Sequence, residues 1–166
     1  SIIDLSAEAN QPFISDRYVL VFNGEIYNYI EIKAELNEYE FKTNSDTEVL
    51  IAAYIKWGKQ CLSKLNGMFS FAIWDTKEKT LFAARDRFGV KPFYYHFSND
   101  TFYFSSEIKA LHAANIKKKP NKKVWFNYIA SGSYGMPTAT FWHEIDQLHG
   151  GHSLEFVAHQ LTIERW

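Results

Sequence analysis

The sequence predicts an α+β layered domain built on antiparallel sheets, and three observations carry that expectation. From Gly67 onward, apolar and polar residues alternate with a period of two, in runs separated by short polar turns. Upstream, Ser45-Asp46-Thr47-Glu48 opens an apolar run with the spacing of a capping box. Aromatic residues make up 17% of the chain (5 Trp, 10 Tyr and 14 Phe) and concentrate in the strand-like runs, which suits sheets packed face to face.

The elements follow in chain order. Arg17 to Phe22, RYVLVF, is a β-branched and aromatic run that stops at Asn23-Gly24, so it reads as a strand followed by a turn. Tyr29 to Leu36 places Ile30, Ile32, Ala34 and Leu36 among charges and reads as a short helix. Ser45 as N-cap and Glu48 at the third helical position open the next helix, VLIAAYIKW, which ends at Gly58. GMFSFAIWD and TLFAARD flank the turn Thr76 to Lys79. KPFYYHF and TFYFSS flank Ser98-Asn99-Asp100 in a second hairpin, after which Ser105 or Ser106 caps a short helix, EIKALHAA. A further helix covers Lys123 to Ile129, and SLEFVA with LTIERW forms a third strand pair.

Bulk properties exclude several classes. The chain has 166 residues, the size of one domain, with 46% apolar and 22% charged residues. Its 18 basic and 19 acidic residues leave a net charge of −1, which gives no global attraction to nucleic acid or to anionic membrane. Lys117-Lys118-Lys119 and Lys122-Lys123 flank Pro120 and Asn121, and in an acidic chain that cluster reads as a solvated loop. No apolar run approaches the roughly 18 residues of a membrane span. The opening, SIIDLSAEANQPF, has neither initiator Met nor secretory signal, so a processed or truncated chain is expected. Cys61 is the single cysteine; in WGKQCLSKL it reads as a packed thiol on a helix, and a reducing, cytoplasmic setting follows. The six His residues, His149 and His152 of LHGGH included, have no third ligand at a recognised spacing, and no metal site is expected.

Three segments could carry chemistry, each beside a plainer reading. Asn23-Gly24 after an apolar strand is ordinarily a turn, yet its carboxamide and N–H could hold the oxyanion of an acyl-transfer intermediate. Asp46 favours the dipole of the helix it begins; alternatively it, like Glu25, could bind the ammonium of an amino-acid ligand. ARDRFGVKP sets Arg85, Asp86, Arg87 and Lys91 between strands, which reads first as a structural ion-pair network.

Taken together, SIIDLS, QPF, FNGEIYNY, SDTEVLIAAY, LNGMFSFAIWD, ARDRFGVKPFYY and FSSEIKAL resemble the glutaminase domain of glutamine-hydrolysing asparagine synthetases, class II glutamine amidotransferases. The resemblance covers nearly the whole chain in the family's order. It implies the N-terminal nucleophile hydrolase fold, a four-layer αββα sandwich of two antiparallel sheets. It also implies a mechanism in which an N-terminal Cys thiol attacks the side-chain amide of glutamine, ammonia leaves, and water releases glutamate. Asn23 and Gly24 match the oxyanion pair, while Glu25 and Asp46 match positions that line the glutamine pocket and hold its α-amino group. Ser1, Ile2 and Ile3 match the segment just after the pocket's carboxylate-binding Arg and line the pocket. The ammonia is expected to pass to a C-terminal synthetase domain that forms asparagine from aspartate. ATP and Mg are expected in that absent domain, and no cofactor in this one. A homodimer is compatible with the sequence, which does not fix the oligomeric state.

Two departures stand out. The family's Cys-Gly-Ile start, HRGPD stretch and pocket Arg do not occur here, so residues 1–166 are expected to be an N-terminally truncated amidotransferase domain, inactive alone. LHGGH stands where the family usually has LPPGH, which puts the rigidity of that hairpin in question. The competing expectation is a non-catalytic glutaminase-like module that packs against a synthetase.

Overall fold

A computed structural model describes residues 10–133 and 137–166 of the chain. In order, they form strands β1 (Phe13–Ser15) and β2 (Tyr18–Ile26), and helices α1 (Tyr29–Glu35) and α2 (Asp46–Trp57). A 3-10 turn (Gly58–Gln60) and α3 (Cys61–Lys64) lead to β3 (Gly67–Asp75), β4 (Thr80–Arg85), β5 (Tyr94–Ser98) and β6 (Thr101–Ser105). Then come α4 (Ile108–Ala113), α5 (Lys122–Ser131), β7 (Asp146–Gln147), β8 (His152–Val157) and β9 (Gln160–Arg165).

The strands assemble into a six-stranded sheet, β1-β2-β3-β4-β8-β9, and a three-stranded sheet, β6-β5-β7, each antiparallel throughout. Strand alternation sorts side chains onto two faces, as a period of two requires. From the large sheet, Leu20, Phe22, Phe69, Phe71, Ile73 and Phe82 point one way and meet Ile32 and Leu36 of α1 and Val49–Ala53 of α2. Val21, Ala72, Trp74, Leu81, Ala83 and Leu154 point the other way, onto Phe93, Tyr95, Phe102 and Phe104 around the small sheet. Beyond that sheet, Leu111 of α4 packs with Ile116, Ile145 and Tyr94. Helices, sheet, sheet and helix therefore stack as the expected αββα sandwich, with a core in each of its three seams. Each fully buried Phe, Leu or Ile contributes about 1.5–3 kcal/mol, so the first seam dominates.

Several local expectations change. Asn23-Gly24 is not a turn: β2 runs on to Ile26 because β3 offers a continuous partner, Asn23 opposite Ser70 and Gly24 opposite Phe69. Long-range pairing overrides the local turn preference. The strand β1 carried no readable signal in its three residues. The second hairpin turns on Asn99 and Asp100 alone, both at positive φ, with Ser98 paired to Thr101. Neither Ser105 nor Ser106 caps α4; its N-cap is Glu107, which makes no side-chain cap.

Candidate active site

The site is built where β2 and β3 run closest. At Gly24 the backbone takes φ 149°, and a Cβ there would lie 2.1 Å from the carbonyl oxygen of Met68. Only glycine tolerates both conditions, so Gly24 is fixed by the approach of β3. One residue earlier, Asn23 continues the face of Val19 and Val21 that looks toward the small sheet. Its Nδ2 donates to Ser106 Oγ at 3.1 Å, across the space between the sheets.

That space is a cavity of about 430 Å³ lined by Gln11, Val21, Phe22, Asn23, Ser70, Phe71, Ala72, Phe93, Phe104, Ser105 and Ser106. Its floor is apolar, and Asn23, Ser70, Ser105, Ser106 and Gln11 supply the polar groups. Gln11 clamps the backbone of Phe22, donating to its carbonyl at 2.8 Å and accepting its N–H at 2.7 Å. Ser70 Oγ donates to Pro92 O at 2.9 Å. A mostly apolar concavity with a few convergent polar groups is the usual form of a small-ligand site.

The carboxylates stand apart from the cavity. Asp46 is 1% exposed, and its Oδ2 accepts the N–H of Ile26 at 3.0 Å. Burial raises its carboxyl above the usual carboxylate range; the N–H groups of Ile26 and Thr47 pull it back and the Glu25 charge pushes it further up. Glu25 lies in β2, and neither it nor Asp46 is among the cavity-lining residues. Ser1, Ile2 and Ile3 lie outside the described residues. Asn23 is thus at the cavity, Gly24 shapes it from the ladder, and Asp46 braces the strand behind it.

The capping box forms by half. Glu48 N–H donates to Ser45 Oγ at 3.2 Å, but the Glu48 carboxylate turns to the N–H groups of Lys42 and Thr43 and to the Thr43 hydroxyl. Thr43 Oγ1 takes the place a reciprocal Glu48 would have had, accepting Ser45 N–H at 3.2 Å.

Nor does the ARDRFGVKP stretch form an ion-pair network. Arg85 spends its guanidinium on three carbonyls, Lys91 at 2.6 Å, Leu148 at 2.5 Å and Gly89 at 2.7 Å. The Asp86 carboxylate gathers four backbone N–H groups, those of Phe69, Phe88, Val90 and Lys91. These charged groups neutralise a tight loop's orphan backbone rather than one another. LHGGH rests on that loop: Gly151 N–H donates to Asp86 O at 2.8 Å, and a Cβ at Gly150 would lie 2.7 Å from Gly89 N. Close packing against Gly89 therefore excludes a side chain at Gly150, while Gly151 is held by its N–H bond to Asp86 O.

Cys61 is fully buried in the first seam, and burial pushes its thiol up to about 12. It does not line the cavity. The lysines from 117 to 123 are exposed, as the solvated reading expects. No described helix is long and apolar enough to cross a membrane.

Sequence reasoning did not single out Ser70 or Gln11, and it weighed Ser106 only as a helix cap. All three lie in segments that carry the family resemblance, but each reaches its partner only through the tertiary fold.

Comparison with known proteins gives the following. The sequence matches the family described as glutamine amidotransferase domain over residues 1–166. It is 40% identical over 173 aligned residues to asparagine synthetase (glutamine-hydrolyzing) 3 of Bacillus subtilis (strain 168), covering 100% of this chain and 28% of that protein. It is 45% identical over 134 residues to asparagine synthetase (glutamine-hydrolyzing) 1 of the same organism, covering 78% of this chain and 21% of that protein. The structure superposes with a TM-score of 0.69 on a glutamine phosphoribosylpyrophosphate amidotransferase from B. subtilis, over 98% of this chain and 33% of that one. At 22% identity, that likeness establishes the shared fold alone. The chain spans less than a third of the length of these relatives.

Proposed function

Because the chain belongs to the glutamine amidotransferase domain family, we propose that it is the glutaminase unit of an asparagine synthetase-like enzyme. On this reading it releases ammonia from glutamine for an ATP- and Mg-dependent synthetase domain elsewhere in a longer protein, where aspartate becomes asparagine. The observation that carries the reading is Asn23. Its carboxamide sits on the wall of a cavity between the sheets, beside a Gly24 whose backbone is fixed by β3.

The chemistry assigns each group a task. A thiolate from outside this sequence adds to the side-chain amide carbon of glutamine, and the carbonyl oxygen becomes an oxyanion. The Nδ2–H of Asn23 and the N–H of Gly24 stabilise that charge as it forms, a contribution made in the transition state and hardly at all before it. The C–N bond then breaks, the nitrogen leaves as ammonia carrying the proton that the thiol gave up, and water hydrolyses the thioester to glutamate. Glu25, half-buried in β2, is the carboxylate left to hold the α-ammonium of glutamine, while the buried Asp46 braces β2 through the Ile26 N–H. Cys61 takes no part, since its thiol is buried and high in pKa.

The test is glutamate release from glutamine by the full-length protein, against a variant with its N-terminal Cys replaced by Ala. Release that depends on the Cys supports the reading. Equal rates in the two proteins overturn it and leave a packing module.

A further inference from the structure

The structure assigns Ser106 as the positioning residue for the Asn23 carboxamide, an inference that rests on the glutaminase reading above. Ser106 follows β6 and stands two residues before the first residue of α4, Ile108, close to where a serine would ordinarily cap the helix. It does not: the N-cap is Glu107, without a side-chain hydrogen bond, and the neighbouring Ser105 hydroxyl donates to Glu107 O at 2.6 Å. The Ser106 hydroxyl instead accepts from Asn23 Nδ2 at 3.1 Å, from 83 residues away in sequence and from the opposite sheet.

The consequence is geometric. An Asn side chain rotates broadly about its terminal torsion, so a lone carboxamide on a cavity wall samples many planes. An amide nitrogen carries two hydrogens. With one of them committed to Ser106, the plane of the amide is set and the second N–H is held toward the cavity that both residues line. A donor already aimed where charge develops spends no free energy on reorientation during the reaction. Ser106 touches no reacting atom in this account; it acts through Asn23.

The experiment measures kcat and KM for glutamine hydrolysis by the full-length protein carrying Ser106→Ala, Ser106→Thr, Asn23→Ala, or both alanine changes. Ser106→Ala should lower kcat by about tenfold, the rate equivalent of one ordinary hydrogen bond, and leave KM within about twofold. Ser106→Thr keeps the oxygen and should recover most of the rate. The double variant should be no slower than Asn23→Ala alone, because a residue that works through Asn23 has nothing left to position. A general loss of structure would instead shift the melting temperature, raise KM and add to the Asn23→Ala loss. An unchanged kcat in Ser106→Ala alongside a slow Asn23→Ala overturns this inference and leaves the glutaminase reading standing. An unchanged Asn23→Ala removes the oxyanion role itself, and the inference with it.

Discussion

Asp46 Oδ2 accepts the backbone N–H of Ile26 at 3.0 Å, tying the first turn of α2 to β2 three residues beyond Asn23. The helix is thereby braced against the strand that carries Asn23 and Gly24, the proposed oxyanion pair. The brace puts a carboxylate in a site with almost no solvent, and burial raises its carboxyl above the ordinary value. A raised acid means that the folded state holds its proton more tightly than the unfolded chain does. Stability therefore falls as pH rises through the window between the ordinary and the raised value. Asp46→Asn keeps an oxygen for Ile26 and removes the charge. The variant should be at least as stable as the parent at neutral pH, with the gap closing on acidification through the carboxylate range. Melting curves across pH read this directly; a parent that loses ground to the variant on acidification would show the carboxylate to be stabilised instead.

Asn23→Ala removes the side-chain donor of the proposed oxyanion pair. Turnover of glutamine should fall by about 10²-fold or more, the usual cost of one such donor. Asn23 is only half-buried, so the melting temperature should hardly move. Steady-state kinetics beside a thermal melt decide the point, and an unaltered kcat would refute the role.

Gly24→Ala acts on the fold before the chemistry. Where φ suits alanine, Gly→Ala stabilises slightly; at Gly24 it sets a methyl 2.1 Å from Met68 O and forces β2 and β3 apart. A loss above about 3 kcal/mol is expected. Gly132→Ala is the control: φ is also positive there, but nothing lies within 4 Å of the added carbon. Its cost should stay near 1–2 kcal/mol, about that of backbone strain alone. Denaturant unfolding of both variants separates steric exclusion from conformational preference.

How far this was legible in advance depends on the range of the interaction that decides each feature. The hairpins around Thr76–Lys79 and Asn99-Asp100 could be read, because alternation and turn residues are local. The N-cap role of Ser45 could be read for the same reason, whereas the route of the Glu48 carboxylate depends on Thr43 and could not. Asn23-Gly24 looked like a turn because nothing nearby reveals that Phe69 and Ser70 will pair with it. Ser106 was invisible as a site residue: its partner arrives only when the two sheets meet. Asn23 itself was found through motif resemblance, and folding then supplied the neighbour that aims it.

Asp86→Ala should be among the most damaging changes away from the cavity. Its carboxylate satisfies four N–H groups, and one of them belongs to Phe69, in the strand partner of Gly24. Leaving part of that set unpaired costs about 3–4 kcal/mol, or roughly 10 °C in melting temperature for a chain of this size. Asp86→Asn retains one accepting oxygen and should lose about half as much. A melting shift under about 3 °C for the alanine variant would mean that the loop repairs its own backbone.

Cys61 supplies a chemical probe of whether the large sheet and its helices open. Its thiol is fully buried among Phe, Leu and Ile side chains and pushed up to about 12, so little thiolate exists at neutral pH and no reagent reaches what does. Alkylation at pH 8 should therefore proceed only through opening of the seam beneath α2 and α3. Its rate should rise with denaturant in step with the loss of secondary structure, whereas Ser106→Ala should leave it alone and Asp86→Ala should hasten it. Mass spectrometry of timed alkylation would show this. Fast labelling of the folded parent would mean instead that the first seam breathes without unfolding, and that the brace from Asp46 to Ile26 does not hold α2 down.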